Sequence, residues 1–170
     1  ASPYSEMVEA NIITPVIANS TTNNGDNVYS VFNEYQIFTA NNNIIKPVAV
    51  NVKKGMNPTE TTLKYNRYDN FGNPIEIEGQ SETNKIYYWN YHHTFPVAEV
   101  TKASLTSSAY TSFEGDDNGG WEYDRNGIEQ SGITGHRSYS GLLQKDVSGA
   151  KNYLLTIWAK AEVLVNNVYG

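Results

Sequence analysis

Residues 61–100 decide the fold of this chain, and they read TTLKYNRYDNFGNPIEIEGQSETNKIYYWNYHHTFPVAEV. Polar and apolar side chains alternate on both sides of DNFGNP, residues 69–74, as they do in half-buried strands. Within DNFGNP the glycine tolerates a positive φ and the proline fixes φ, which suits a tight turn. The pattern therefore predicts a hairpin in which residues 63–68 pair antiparallel with residues 74–79. Residues 86–89, IYYW, then begin a third strand.

The alternation also predicts which way each side chain of the first strand points. Because successive strand residues face opposite sides of a sheet, Leu63 and Tyr65 share one face. Lys64 and Tyr68 then lie on the other face. The carboxylates of the second strand, Glu76 and Glu78, project from its solvated side, where they form no obvious pair for acid–base catalysis.

Composition places the whole chain in the all-β class. Of 170 residues 39% are hydrophobic and 12% aromatic, with 13 Tyr against 5 Phe, and strand and turn formers are both abundant. The net charge is −6 and the 12 Lys and Arg form no basic run, so we expect no nucleic-acid partner. No apolar run approaches the ~20 residues that a membrane helix needs, so we expect no membrane span. Cysteine is absent, which excludes disulfides and thiolate chemistry.

The amino-acid sequence of the hairpin resembles that of a known family. The series Tyr65-x-x-Tyr68-Asp69-x-x-Gly72-Asn73 is similar to the YD or RHS repeat of bacterial surface proteins. The resemblance implies antiparallel β-hairpins over residues 1–103 and a secreted or cell-surface location in bacteria. In that family, hairpin arrays coil into hollow shells or stalks.

Residues 112–170 resemble a second family. The order S-F-E, W, T-G-x-x-S-Y and Y-x-x-x-x-W-A-K is similar to the opening strands of carbohydrate-binding jelly rolls. The resemblance implies the N-terminal part of a β-sandwich, which residues 104–111 join to the repeat region as a linker. Such a half-sandwich leaves an apolar face uncovered. The chain also stops directly after a strand-like run, so we expect it to be part of a longer polypeptide.

This second resemblance implies two kinds of site. Glu114, with Asp116 nearby, is placed to bind a structural calcium ion, although an acidic solvated turn is the simpler interpretation because the remaining ligands of such a site are missing. Trp121, Tyr123 and Tyr139 could stack on sugar rings. No other cofactor is indicated.

The sequence contains no recognisable catalytic motif. The H-E-x-x-H, G-x-S-x-G and phosphate-loop patterns are all missing, and the adjacent His92 and His93 would point to opposite sides of a strand. We therefore predict a non-enzyme: a structural or scaffolding part of a secreted YD-repeat surface protein that encloses or displays other domains. Its partner would be the rest of its own longer polypeptide or another chain. The alternatives are a module that binds polysaccharide and, more weakly, the carrier portion of an exported toxin or enzyme.

Overall fold

A meander of antiparallel strands forms the main body of the protein. The structure, a computed structural model, describes residues 3–41, 43–80, 83–130, 136–147, 152–160 and 162–166. Among them, seven strands form one sheet in which each strand pairs with its neighbours in the chain. The predicted all-β class is confirmed.

The elements follow one another closely. A short helix, α1, covers Pro3–Glu9. The sheet contains β1 Ala18–Asn23, β2 Asp26–Phe38, β3 Ile44–Lys54, β4 Glu60–Tyr68, β5 Pro74–Gly79, β6 Thr83–Asn90 and β7 Phe95–Thr101. Two three-residue strands, β8 Ile128–Gln130 and β9 Arg137–Tyr139, form a separate pair. Single 3₁₀ turns lie at Thr39–Asn41, Leu105–Ser107 and Arg125–Gly127.

The predicted hairpin is present in the predicted place. β4 and β5 pair antiparallel, with Leu63 opposite Gly79 and Tyr65 opposite Ile77. Gly72 has a φ of +86° in the connecting turn, as the turn chemistry required. β6 then adds to β5 as the predicted third strand.

The predicted facing of Tyr68 is wrong. The register of β4 against β5 shifts on both sides of Arg67, so strict alternation is lost there. Tyr68 therefore comes round to the side of Tyr65, and their rings stack with centroids 5.8 Å apart. The Tyr68 ring is buried, packs edge-on against Phe38 at 5.0 Å and donates a hydrogen bond from its hydroxyl to the Pro47 carbonyl at 2.8 Å.

The helix α1 lies against the sheet. A helix of seven residues is unstable alone, so it depends on such packing. Met7 supplies the buried contact, and the Tyr4 ring meets Tyr35 of β2 edge-on at 6.4 Å.

Residues 104–120 lie against β6. The hydroxyls of Ser108 and Tyr88 are 2.9 Å apart, and the Tyr110 amide donates to the Gly119 carbonyl at 2.8 Å. The segment predicted as a linker, residues 104–111, therefore contacts the sheet through the side chains of Ser108 and Tyr110, which both meet Tyr88.

Regular structure is sparse in the described part of residues 112–166. It consists of the β8–β9 pair, the 3₁₀ turn at Arg125–Gly127 and a bridge between Glu122 and Gln144. Residues 131–135, which include the start of the T-G-x-x-S-Y motif, lie outside the described residues. The jelly-roll topology of this region stays a prediction.

The buried core is thin for a chain of this size. The buried apolar residues among those described are Met7, Ala49, Tyr68, Ile86 and Tyr88. The accessible surface is 12321 Å², whereas a folded monomer of 19.0 kDa exposes about 8,400 Å². The chain therefore exposes far more surface than a self-contained domain of its mass.

Candidate functional site

The five residues of the YD motif lie on β4 and in the turn after it, and Asp69 organises that turn. One oxygen of its carboxylate, Oδ1, accepts hydrogen bonds from the amides of Phe71 at 2.9 Å and Asn73 at 2.8 Å. The Asp69 amide also donates to the Asn73 carbonyl at 2.9 Å. A carboxylate two to four residues before these amides mimics a backbone turn, which explains the aspartate at this position.

The other oxygen of Asp69 reaches the turn between β6 and β7. Oδ2 lies 3.1 Å from Nδ1 of His93, and the Asn73 side chain donates to the His93 carbonyl at 2.6 Å. The Phe71 ring stacks on the imidazole with centroids 4.4 Å apart. We call Asp69, Phe71, Asn73 and His93 the paired-turn cluster. It joins the ends of two consecutive hairpins.

The second turn needs this support because its backbone is strained. Tyr91, His92 and His93 all have positive φ, at 53°, 57° and 57°. Such a conformation costs about 1 kcal/mol or more for each residue that is not glycine. Asp69, Phe71 and Asn73 contact the last of these residues and so hold the turn in place.

The two adjacent histidines face different carboxylates. His93 contacts Asp69, while the backbone amide of His92 donates to the carboxylate of Asp116 at 3.0 Å. That hydrogen bond lowers the pKa of Asp116 below its usual range.

Asn90, at the end of β6, anchors the segment that follows the sheet. Its side-chain oxygen accepts hydrogen bonds from the amides of Asp116 at 2.7 Å, Tyr91 at 2.9 Å and Asp117 at 3.3 Å. Gly115 lies so close to Asn90 that a Cβ on the glycine would come within 2.0 Å of the amide group. Only glycine fits against this buried asparagine.

A cavity of about 360 Å³ lies beside the paired-turn cluster. Its lining includes Asp69, Tyr87, Trp89, His93 and Lys145. The indole of Trp89 donates to the Pro74 carbonyl at 2.9 Å, so its polar edge is satisfied within the protein.

Glu114 and Asp116, the candidate calcium ligands, are each engaged by other groups. Glu114 accepts a hydrogen bond from the Arg137 amide at 2.6 Å, and Asp116 accepts one from His92. Within the described part of the chain, no three His, Cys, Asp or Glu side chains are grouped so that they could hold a metal ion. Calcium binding stays a prediction.

The candidate sugar-binding residues divide into two sets. Tyr123 and Tyr139 are half-buried and lie 5.2 Å apart. Both pack on Phe113, at 5.5 and 5.6 Å, and their rings therefore cover one another. Trp121 is half-buried in the turn before them, where its amide donates to the Asn118 carbonyl at 3.1 Å.

Sequence reasoning missed His93 and Asn90 as linking residues. In an antiparallel meander, the turns after β4 and after β6 emerge at the same end of the sheet. An aspartate in one turn and a histidine in the other therefore lie close together. That regularity was the signal available for pairing Asp69 with His93.

Comparisons with protein-family models, with curated proteins and with solved structures found no match. None of the helices in the described residues has the length and apolar character needed to cross a membrane.

Proposed function

We propose that this chain is a non-catalytic structural segment of a secreted bacterial YD-repeat protein, in which successive β-hairpins build a wall that encloses or displays other domains. The observation that carries the proposal is the contact of Asp69 with His93, at 3.1 Å. A turn motif that clamps the next turn along the sheet sets the position of each hairpin from the one before. Repetition of such a clamp is a simple way to extend a sheet in a regular direction.

The large exposed surface supports the proposal that this chain binds a partner, which would be the rest of the same longer polypeptide or another chain. Among the described residues, β1 and β7 are the outermost strands of the sheet, much apolar area is partly exposed, and the buried core is small. Covering apolar surface contributes about 25 cal/mol for each Å². Adjoining repeats would supply that cover.

Hydrogen exchange would test the proposal. We expect the backbone amides of the outermost strands β1 and β7 to exchange at least tenfold more slowly in the longer polypeptide than in this chain alone, because adjoining hairpins would pair with these strands. The amides of the central strands β3, β4 and β5 serve as the internal control, since both neighbours of each of these strands lie within the chain. Equal exchange in the two preparations would contradict a role as one segment of a continuous wall.

Recognition of polysaccharide is the second candidate function. It is supported by Trp121, which is half-buried in the turn before the packed Tyr123 and Tyr139, and by a polar group beside that pair: the Arg125 guanidinium donates to the Tyr123 hydroxyl at 3.4 Å. Co-sedimentation with insoluble polysaccharides would test it. Binding that is lost in Trp121→Ala but retained in Trp89→Phe would favour this function, and no binding would remove it.

A further inference from the structure

Three asparagines of the chain are followed directly by glycine: Asn24, Asn118 and Asn126. The backbone amide of such a glycine can attack the asparagine side chain, because glycine carries no side chain that would hinder the approach. The reaction requires that the glycine amide is free and that the asparagine side chain can turn toward it. These two conditions distinguish the three sites in the structure.

At Asn118 both reacting groups are engaged. The Gly119 amide donates a hydrogen bond to the carboxylate of Asp117 at 2.9 Å, and Gly119 is buried. The Asn118 side-chain oxygen accepts a hydrogen bond from the Arg125 guanidinium at 3.2 Å. These hydrogen bonds must break before the site can react.

At Asn126 both groups are also engaged, here by a single residue. The Gly127 amide donates to the Asp124 carbonyl at 3.1 Å. The Asn126 side chain donates to the Asp124 carboxylate at 3.0 Å. The 3₁₀ turn at Arg125–Gly127 therefore protects this site, although its asparagine is exposed.

Asn24 meets both conditions. With Gly25 it forms the turn between β1 and β2, where both residues are exposed and have positive φ, at 50° and 89°. Among the described residues, neither the Gly25 amide nor the Asn24 side chain forms a hydrogen bond. A Cβ on Gly25 would meet nothing within 4 Å, so the space around the turn is open.

We propose that Asn24 is a site of spontaneous modification, which converts the asparagine to aspartate and isoaspartate. The Gly25 amide nitrogen bonds to Cγ of Asn24, its proton passes to water, and the side-chain nitrogen leaves as ammonia. Water then opens the resulting succinimide ring at either carbonyl, which gives the two products. The net change is one water taken up and one ammonia released, with no oxidation or reduction.

The isoaspartate product disrupts the hairpin, because the main chain then runs through the former side chain and is one carbon longer. The turn joins Asn23 to Asp26, which pair across the hairpin, and so short a loop accepts few backbone geometries. All six side chains of β1 are exposed, and among the described strands only β2 neighbours it. We therefore expect the modification to loosen β1 and to leave the rest of the sheet in place.

Mass spectrometry of peptides from the intact folded chain, incubated at mildly alkaline pH, tests the site. Asn118 and Asn126 are internal controls, since one glycine-amide hydrogen bond that must break slows the reaction about 2- to 10-fold. We expect Asn24 to react first by at least that factor, and the difference to disappear in urea, where the turns are lost. Faster reaction at either control in the folded chain would overturn the proposal, and so would the same ratio of rates in urea.

Hydrogen exchange of the incubated chain tests the consequence. We expect the amides of β1 that bond to β2 to exchange severalfold faster after modification, while those of β4 and β5 keep their rates. Asn24→Gln is the matched control: it keeps a neutral amide, but its ring would be one atom larger and closes far more slowly. Freshly prepared Asn24→Asp, which adds the charge without lengthening the main chain, should exchange like the unmodified chain. Equal loosening of β1 in incubated Asn24→Gln would overturn the proposal, as would unchanged exchange in the chain modified at Asn24.

Discussion

The carboxylate of Asp69 lies 3.1 Å from Nδ1 of His93, although the two residues belong to the turns of different hairpins. The Asp69 carboxylate also accepts hydrogen bonds from the backbone amides of Phe71 and Asn73. One side chain therefore stabilises both its own turn and the turn between β6 and β7. The aspartate side chain is only 10% exposed, so these hydrogen bonds compete little with water.

Replacement of Asp69 should destabilise the sheet. Asp69→Ala removes the acceptor for two turn amides and for His93, and we expect a loss of about 2–4 kcal/mol in the free energy of unfolding, measured by urea titration. Asp69→Asn keeps an oxygen that can accept the hydrogen bonds from the turn amides, but it removes the negative charge that faces Asn73 and His93. We therefore expect a smaller loss of unfolding free energy for Asp69→Asn than for Asp69→Ala. Asp146→Ala, at an exposed site, is the control. A loss for Asp69→Ala no greater than that of the control would contradict the role of the cluster.

Substitutions at Gly72 and Gly25 should distinguish the destabilisation caused by backbone strain from the destabilisation caused by a steric clash. Both have positive φ, +86° and +89°, but a Cβ on Gly72 would come within 2.6 Å of Lys46 Cε, whereas Gly25 has open space. We expect Gly25→Val to cost about 1–3 kcal/mol from strain alone, and Gly72→Val to cost more. Thermal unfolding of the two variants measures the difference. Equal shifts in Tm would mean that the Lys46 side chain simply moves aside.

Gly115 should be intolerant of any side chain. A Cβ there would overlap the side-chain amide group of Asn90. The oxygen of that group accepts hydrogen bonds from the backbone amides of Asp116 and Asp117, which hold residues 115–117 on β6. We expect Gly115→Ala to cost about 1–3 kcal/mol and to release this segment, which faster hydrogen exchange at Asp116 would report. Gly79→Ala, whose Cβ would make an ordinary contact at 3.8 Å, is the matched control. Unchanged exchange at Asp116 would show that the segment is held elsewhere.

The sequence predicted local pairing well and distant contacts poorly, for physical reasons. Alternation and turn chemistry around Gly72 are local, so they were enough for the hairpin and for the positive φ. The rotation of Tyr68 onto the side of Tyr65 follows from irregular register near Arg67, which period-2 alternation does not encode. The contact of Asp69 with His93 joins residues 24 positions apart and requires the topology first.

Stability should fall in alkaline solution because of Tyr68. Burial, with smaller contributions from neighbouring tyrosines, raises the pKa of its phenol well above the ordinary value of 10.0. A raised pKa in the folded state means that the folded chain keeps a proton that the unfolded chain loses. The contribution of Tyr68 is therefore fully present below pH 10.0 and declines as the pH rises above it.

Tyr68→Phe is the variant that isolates this effect. At neutral pH it loses the hydrogen bond to the Pro47 carbonyl, so we expect it to be about 1 kcal/mol less stable than the unmodified chain. Above pH 10.0 its stability should decline less steeply, because the buried phenol that resists ionisation is gone. Tyr29→Phe, at a residue 40% exposed, should keep the full alkaline decline. Urea titrations at a series of pH values compare the three chains, and parallel pH profiles for all of them would show that Tyr68 does not govern alkaline stability.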